Sequence, residues 1–255
     1  MLRPSQEAGD NHEQVAADLD RRLGRLPTLE ARLHVVAQLA PGPIAFSTSL
    51  GLEDQAILHA IAAEGAKVDV FTLDTGRHFP ETIDTLARTE QRYGLRIRVV
   101  TPEAADVESL VARDGIMGFR LSIEARKACC EVRKVRPLRR ALAGAGSWIT
   151  GLRRDQSAGR SHIRFAAVDC EHRVVKISPL ADWSLNRLEA FIAANEVPIN
   201  PLYAQGFPSI GCQPCTRATS PGEDVRAGRW WWETQDGKEC GLHANPRRPV
   251  RGTAA

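Results

Sequence analysis

Five of the six cysteines in this 255-residue sequence stand where chemistry can use them. Cys129 and Cys130 are adjacent. Cys212-Gln213-Pro214-Cys215 is a Cys-x-x-Cys. Cys240 stands alone in Lys238-Glu239-Cys240-Gly241-Leu242-His243. In a reducing compartment, paired cysteines serve metal binding or catalysis rather than structural disulfides. Four thiolates are soft ligands that suit zinc or an iron–sulfur cluster. Structural zinc usually takes two Cys-x-x-Cys knuckles, and a directly adjacent pair suits that geometry poorly. A [4Fe–4S] cluster on Cys129, Cys130, Cys212 and Cys215 is therefore the expectation, with buried, unligated thiols as the plainer alternative. Cys240 reads as a nucleophile. A free thiol has a pKa near ~8.5, so the thiolate needs cations beside it. Arg226, Arg229, Lys238 and His243 are close in sequence, and the plainer alternative is an inert thiol. Cys170 has no partner spacing and reads as a bystander.

The remaining chemistry is anion binding. A strand at 44–46 runs into Ser47-Thr48-Ser49-Leu50-Gly51-Leu52-Glu53-Asp54, and a helix follows with Ile57, Leu58 and Ile61 on one face. Strand, hydroxyl-rich loop, helix start is the layout of an anion site, although it is neither a P-loop nor a Gly-x-Gly-x-x-Gly. A capped helix without a ligand explains it equally well. A second strand at 68–72 ends in Leu73-Asp74-Thr75-Gly76-Arg77 before Pro80 opens the next helix. Cations crowd the stretch from Arg133 to Arg140, one helical turn after the cysteine pair, and read as an electropositive wall. A strand at 148–150 delivers Gly151-Leu152-Arg153-Arg154, and adjacent arginines suit a phosphate or sulfate.

The elements that position these residues alternate. Further strands are expected at 97–100 and 174–177, with helices between. Two helices precede the first strand, built on Val15, Leu19 and Leu23 and on Leu29, Leu33 and Val36, while residues 1–14 read as frayed. Residues 158–173 read as a loop. The β-α alternation predicts an α/β fold: a mostly parallel twisted sheet with helices on both faces and ligands at the carboxyl ends of its strands. From Pro198 the periodicity dissolves. Residues 1–217 are expected to form the nucleotide-binding α/β unit with the cluster ligands. Residues 218–255 are expected to form an irregular, mobile tail carrying Cys240, with some of Trp230, Trp231 and Trp232 packing it onto the body. A net charge of +3 is too small to argue for nucleic acid or a membrane surface. No apolar run reaches the ~20 residues a membrane helix needs. The N-terminus lacks an apolar stretch of the kind a signal peptide carries, so cytoplasmic residence is the expectation.

These segments resemble the assimilatory adenylyl-sulfate (APS) reductases of the wider phosphoadenylyl-sulfate (PAPS) reductase family. The resemblance runs from about Pro43 to His243. Cys-Cys with Cys-x-x-Cys and the Glu-Cys-Gly-Leu-His ending are its most specific parts. It implies an adenine-nucleotide α-hydrolase-like fold and a [4Fe–4S] cluster on the two cysteine pairs. It also implies attack by the Cys240 thiolate on the sulfur of adenosine 5′-phosphosulfate. AMP leaves, and thioredoxin or glutaredoxin, as a separate protein, releases sulfite. By resemblance, Ser47, Ser49, Gly51, Leu73, Thr75 and Gly76 hold the nucleotide. Lys134, Arg153 or Arg154, Arg226, Arg229 and His243 hold phosphate and sulfate. A homo-oligomer is in keeping with the family. The Ser-x-Ser-x-Gly form of the loop leans toward PAPS reductases, so a PAPS or dual reductase is the rival within the same chemistry. A tRNA-thiolating enzyme of related fold would need a Ser-Gly-Gly-x-Asp-Ser loop, which does not occur. A zinc-stabilised, non-catalytic nucleotide-binding module is the rival from another class.

Overall fold

A computed structural model describes residues 4–233 and residue 242. Six strands form one sheet: β1 (Ile44–Thr48), β2 (Asp69–Leu73), β3 (Arg98–Val100), β4 (Ser147–Ile149), β5 (Ala166–Asp169) and β6 (Val174–Ile177). Their spatial order is β3-β2-β1-β4-β6-β5. All pairs are parallel except β5 with β6. Between and around them run α1 (Pro4–Leu23), α2 (Leu29–Leu39), α3 (Leu52–Glu64), α4 (Pro80–Tyr93), α5 (Ala104–Asp114), α6 (Ile123–Cys130), α7 (Arg136–Ala141) and α8 (Leu185–Ala194).

The strands alternate their apolar residues between two cores, as a period of two requires. Ile44, Phe46, Val70, Ile149, Val175 and Ile177 face a large core shared with α1, α2, α3 and α8. Ala45, Phe71, Trp148 and Val174 face a smaller one with Leu138, Ala141 and Leu142 at α7. Both faces are thus covered, as a parallel sheet needs. The helices stop where the chemistry of their ends says. Thr28 caps α2 by accepting from the Ala31 N–H at 3.2 Å. Pro80 opens α4, and Gly65 and Gly94 end α3 and α4 in the left-handed region.

Two expectations need correction. The helix α1 begins at Pro4 instead of after a frayed stretch through residue 14. Residues 158–173 contain β5, an antiparallel edge strand. Its short run of small and half-buried residues, flanked by polar ones, gives no strong period, and pairing with β6 creates it.

The β1→β2→β3 crossovers move the chain one way across the sheet, and β4 and β6 lie on the other side of β1. The strand order therefore reverses between β1 and β4. The carboxyl ends of those two strands release residues 49–51 and 150–153, and that is where an open α/β sheet binds its ligand. Among the described residues, no helix is long and apolar enough to cross a membrane.

Candidate active site

A cavity of about 1130 Å³ opens at this switch point, ample for a nucleotide. Ser47, Ser49 and Gly51 line it from the β1 loop, Leu73 and Thr75 from the end of β2, and Arg153 from the end of β4. Lys134, Arg226 and Arg229 complete its polar wall. Leu242, two residues past Cys240, also lines it and packs against the core formed by Leu138, Leu142 and Trp148. Cys240 and His243 lie outside the described residues.

The β1 loop departs from a bare anion nest. Its N–H groups are engaged by its own side chains and a neighbour. Asp54 accepts from the Ser49 N–H and hydroxyl, both at 2.6 Å, and Thr48 Oγ1 accepts from Leu50 N–H at 3.0 Å. Tyr203 Oη accepts from Leu52 N–H at 3.2 Å. Trp148 Nε1 donates to Ser47 Oγ at 2.8 Å, tying the loop to β4. Glu53 and Asp54 fill the first turn of α3, where carboxylates favour the helix dipole. Lys134, Arg226 and Arg229 stand elsewhere in the cavity wall.

Asp54 carries the cost of its burial. Desolvation is the largest cause, and despite the hydrogen bonds from Ser49 it pushes the carboxyl up to about 6. The folded state thus binds the proton more tightly than the unfolded chain does. This contribution to stability is present in acid and is lost as pH rises through about 6. The shift corresponds to about 3 kcal/mol. Asp54→Asn should flatten that slope, so that between about pH 4 and 6 the melting temperature of the variant falls less than that of the wild type. Parallel slopes in thermal melts across that range would contradict the assignment.

Of the two adjacent arginines, Arg153 faces the cavity. Arg154 turns away, donating from Nε to Ile163 O at 2.7 Å and stacking on Phe165. Gly76 is not among the lining residues. It sits at φ 68°, where its N–H reaches Asp74 Oδ1 at 2.8 Å and shapes the turn that presents Thr75. The expected electropositive wall shrinks to two residues. Arg136, Arg139 and Arg140 are exposed and pair with Asp106, Glu131, Glu171 and Glu103. Arg133 is buried and donates to Thr75 O at 2.7 Å.

Arg229 reaches the cavity because Gly211 lets it. A Cβ on Gly211 would stand 2.2 Å from Arg229 Nη2. The guanidinium donates to Ile210 O at 3.2 Å, while its Nε is buried without a hydrogen-bond partner among the described residues. Gly211→Ala should push the guanidinium aside, because the overlap falls on the end of a long side chain. A rise of about tenfold in KM with little change in melting temperature is expected. An unchanged KM would remove Arg229 from the binding wall.

Beside the large cavity lies a small one of about 20 Å³, lined by Cys129, Cys130, Cys212 and Cys215 together with Phe119, Arg77, Arg126, Arg133 and Lys134. The two cysteine pairs, far apart in sequence, share this cavity. Cys130 ends α6, and a π-helical turn over Glu131–Val135 follows. This wide turn carries Arg133 to the β2 loop and Lys134 to the large cavity. Among the described residues, Lys134 alone lines both cavities. Cys215 sits on the short turn Gln213–Cys215, held where Gln213 N–H donates to Arg77 O at 2.8 Å. Burial pushes the Cys129 thiol up and the Cys215 thiol up to about 11. Burial also opposes ionisation of Cys212. Lys134, the Thr75 hydroxyl at 3.3 Å, Arg229 and Arg77 outweigh it and hold this thiol low.

Residues 218–233 are bound to the body. Trp230 is buried beside Cys212 and Cys215, and Arg126 stacks on it and pairs with Glu233 at 2.8 Å. Trp231 is exposed, and Trp232 packs edge-on against Phe119. Sequence reasoning missed His78 and Tyr203 in the cavity wall. His78 Nε2 lies 2.9 Å from Leu73 O, and burial holds the ring below its ordinary pKa. A histidine directly before Phe79-Pro80, at the carboxyl end of a strand, was the available signal.

Residues 43–218 match the phosphoadenosine phosphosulfate reductase domain. The chain belongs to the phosphoadenosine phosphosulfate reductase family. It is 51% identical over 233 residues to an adenosine 5′-phosphosulfate reductase of Agrobacterium fabrum, covering 91% of this chain and 89% of that one. It is 48% identical over 230 residues to the enzyme of that name in Allochromatium vinosum, covering 88% and 90%. Among solved structures, it resembles a PAPS reductase from Candida auris in a phosphate complex. The TM-score is 0.68 at 26% identity, over 79% of this chain and 96% of that one. The large cavity of this chain lies at the switch point of its mostly parallel sheet.

Proposed function

We propose that this chain reduces adenosine 5′-phosphosulfate to sulfite and AMP, with Cys240 as nucleophile and thioredoxin or glutaredoxin as the source of two electrons. It is an oxidoreductase acting on a sulfur group. One observation carries the finer reading. Lys134 stands in the wall of both the nucleotide-sized cavity and the four-cysteine cavity, with Leu242 of the Cys240 segment in the same large cavity.

Binding comes first. Lys134, Arg226 and Arg229 supply the positive wall for the phosphosulfate, and guanidinium groups suit its oxygens. Ser47, Ser49, Gly51, Leu73 and Thr75 cradle the nucleoside. Leu242, two residues past Cys240 in sequence, lies in the apolar part of the cavity, which supports Cys240 as the nucleophile. The cations favour the thiolate. The Cys240 sulfur attacks the sulfur of the sulfate group, and a Cys240 S–S bond forms. The bond from that sulfur to the phosphate oxygen breaks, and AMP leaves with its electron pair. A reductant thiolate then attacks the Cys240 sulfur and displaces sulfite. Its second thiol resolves the mixed disulfide and returns Cys240 as a thiol. Splitting the reduction into two thiol steps is covalent catalysis.

The four cysteines fit an iron–sulfur cluster by donor set and surroundings. Four soft ligands converge on one cavity, and four cations line it. Among the described residues no three His, Cys, Asp or Glu side chains form a group close enough for a single metal ion. A cluster core is a larger group than one ion. Cys129, Cys130, Cys212 and Cys215 would hold it. When bound, it would link the two cysteine segments and set its negative charge against Arg77, Arg126, Arg133 and Lys134. The unit at 1–217 then carries the cluster ligands and most of the nucleotide wall, and the segment beyond it adds Arg226 and Arg229 and carries the nucleophile. Cytoplasmic residence and a reduced thiol pool suit this chemistry.

The test is sulfite release by protein purified without oxygen, supplied with adenosine 5′-phosphosulfate, thioredoxin and thioredoxin reductase. Sulfite and AMP in equal amounts support the proposal. Protein that holds its iron and releases neither refutes it.

A further inference from the structure

A lysine stands behind the wall of the large cavity. Trp148 on β4 and Lys176 on β6 are register partners, so their side chains emerge side by side on one face of the sheet. The Lys176 Nζ lies over the Trp148 ring, 4.6 Å from its centroid. The lysine side chain is only 18% exposed, and Asp169 Oδ2 on β5 lies 3.8 Å from Nζ. The other Asp169 oxygen accepts from the His172 N–H at 3.0 Å and lies 3.1 Å from His172 Nδ1. The His172 ring meets Trp148 edge-on, with the centroids 5.3 Å apart. Its Nε2 is buried and makes no hydrogen bond among the described residues. An ammonium and an imidazole therefore hold the indole body, while the indole N–H donates to Ser47 Oγ at 2.8 Å.

We propose that Lys176 is a positioning residue for the nucleotide: it clamps Trp148 and, through the indole N–H, fixes how Ser47 meets the substrate. This rests on the nucleotide reading of the cavity given above. An indole N–H can only donate, so Ser47 Oγ accepts, and the serine's own hydrogen is left to donate. Ser47 lines the large cavity, where phosphate and ribose oxygens would accept that hydrogen. Burying an ammonium is costly unless it is compensated. Here Asp169 and the face of the indole compensate it, and a cation–π contact gains strength when it is desolvated. Methionine would fill the same space without the cost, so packing alone does not call for the charge. Burial is also the largest influence on the ammonium and lowers it to about 8. Asp169 and Glu171 hold it up, and Arg160 pushes it down. Arg139 on α7 pairs with Glu171 at 3.1 Å. Above about pH 8 Lys176 loses its charge, the clamp on Trp148 weakens and Ser47 loses its fixed orientation.

The experiment titrates AMP, between about pH 7 and 9.5, into wild type, Lys176→Met, Lys176→Arg, Trp148→Phe and the variant with both Lys176→Met and Trp148→Phe. Melting temperatures are measured alongside. At neutral pH Lys176→Met should raise the AMP dissociation constant at least about fivefold. In wild type the constant should climb above about pH 8 toward that of Lys176→Met. Lys176→Arg, whose guanidinium keeps its charge, should stay low across the range. Because the lysine acts through the indole, Lys176→Met should add less than about twofold once Trp148 is phenylalanine. An AMP affinity unchanged in Lys176→Met, an alkaline rise equal in wild type and Lys176→Arg, or full additivity in the double variant overturns the inference. The comparison of wild type with Lys176→Arg decides the matter even where Trp148→Phe melts low. Wild type that binds AMP but releases no sulfite refutes the reductase reading instead, and the AMP titrations still judge the role of Lys176.

Discussion

Replacing Cys240 by serine is expected to abolish sulfite formation, with a loss of at least about a thousandfold in kcat. A hydroxyl is a far weaker nucleophile than a thiolate, and the neighbouring cations cannot ionise it at neutral pH. The reductant also requires a sulfur atom to attack, so a serine adduct would be a dead end. The variant should keep the iron content of the wild type, because Cys240 is not among the cysteines of the small cavity. It should also bind AMP normally, since the cations that line the large cavity remain. Iron analysis, AMP binding and a sulfite assay separate these effects. Turnover within tenfold of the wild type would remove Cys240 from the mechanism.

The second large effect is expected at Cys129. Cys129→Ala should lower the iron content to less than half, reduce activity in proportion or more, and lower the melting temperature by roughly 5 °C or more. Cys129 lies in the last turn of α6, just before the turn that positions Arg133 and Lys134. Its partners Cys212 and Cys215 come from a segment that also anchors Trp230. A metal group bridging those segments would stabilise folded protein, because the unfolded chain has no such site. Full iron occupancy in the variant would contradict the ligand assignment. Zinc without iron or acid-labile sulfide in the wild type would favour a non-catalytic module.

Much of this was legible in residue types and spacing. The β-α alternation located five of the six strands, because buried parallel strands read as short apolar runs between turn residues. The edge strand Ala166–Asp169 was hidden, since its pairing with Val174–Ile177 comes from tertiary context. The cysteine pairs announced a shared site, and the structure brings them to one cavity. What the sequence could not show was direction. Arg153 and Arg154 are equivalent by composition, but one faces the cavity and the other stacks on Phe165. The cations from Arg133 to Arg140 looked like one wall, and a π-helical turn sends only Arg133 and Lys134 inward. The loop after the first strand looked like an anion nest, yet its N–H groups are engaged internally by Asp54, Thr48 and Tyr203.

The most direct test of the central claim omits the reductant. Enzyme purified without oxygen is mixed with adenosine 5′-phosphosulfate alone, AMP is measured, and the protein is digested for mass spectrometry. One AMP per active chain should appear, with no sulfite, and a sulfonate group should be carried on the peptide containing Cys240. Adding thioredoxin should then release that group as sulfite. AMP formed without an adduct, or with the sulfonate on any other cysteine, would contradict attack by Cys240.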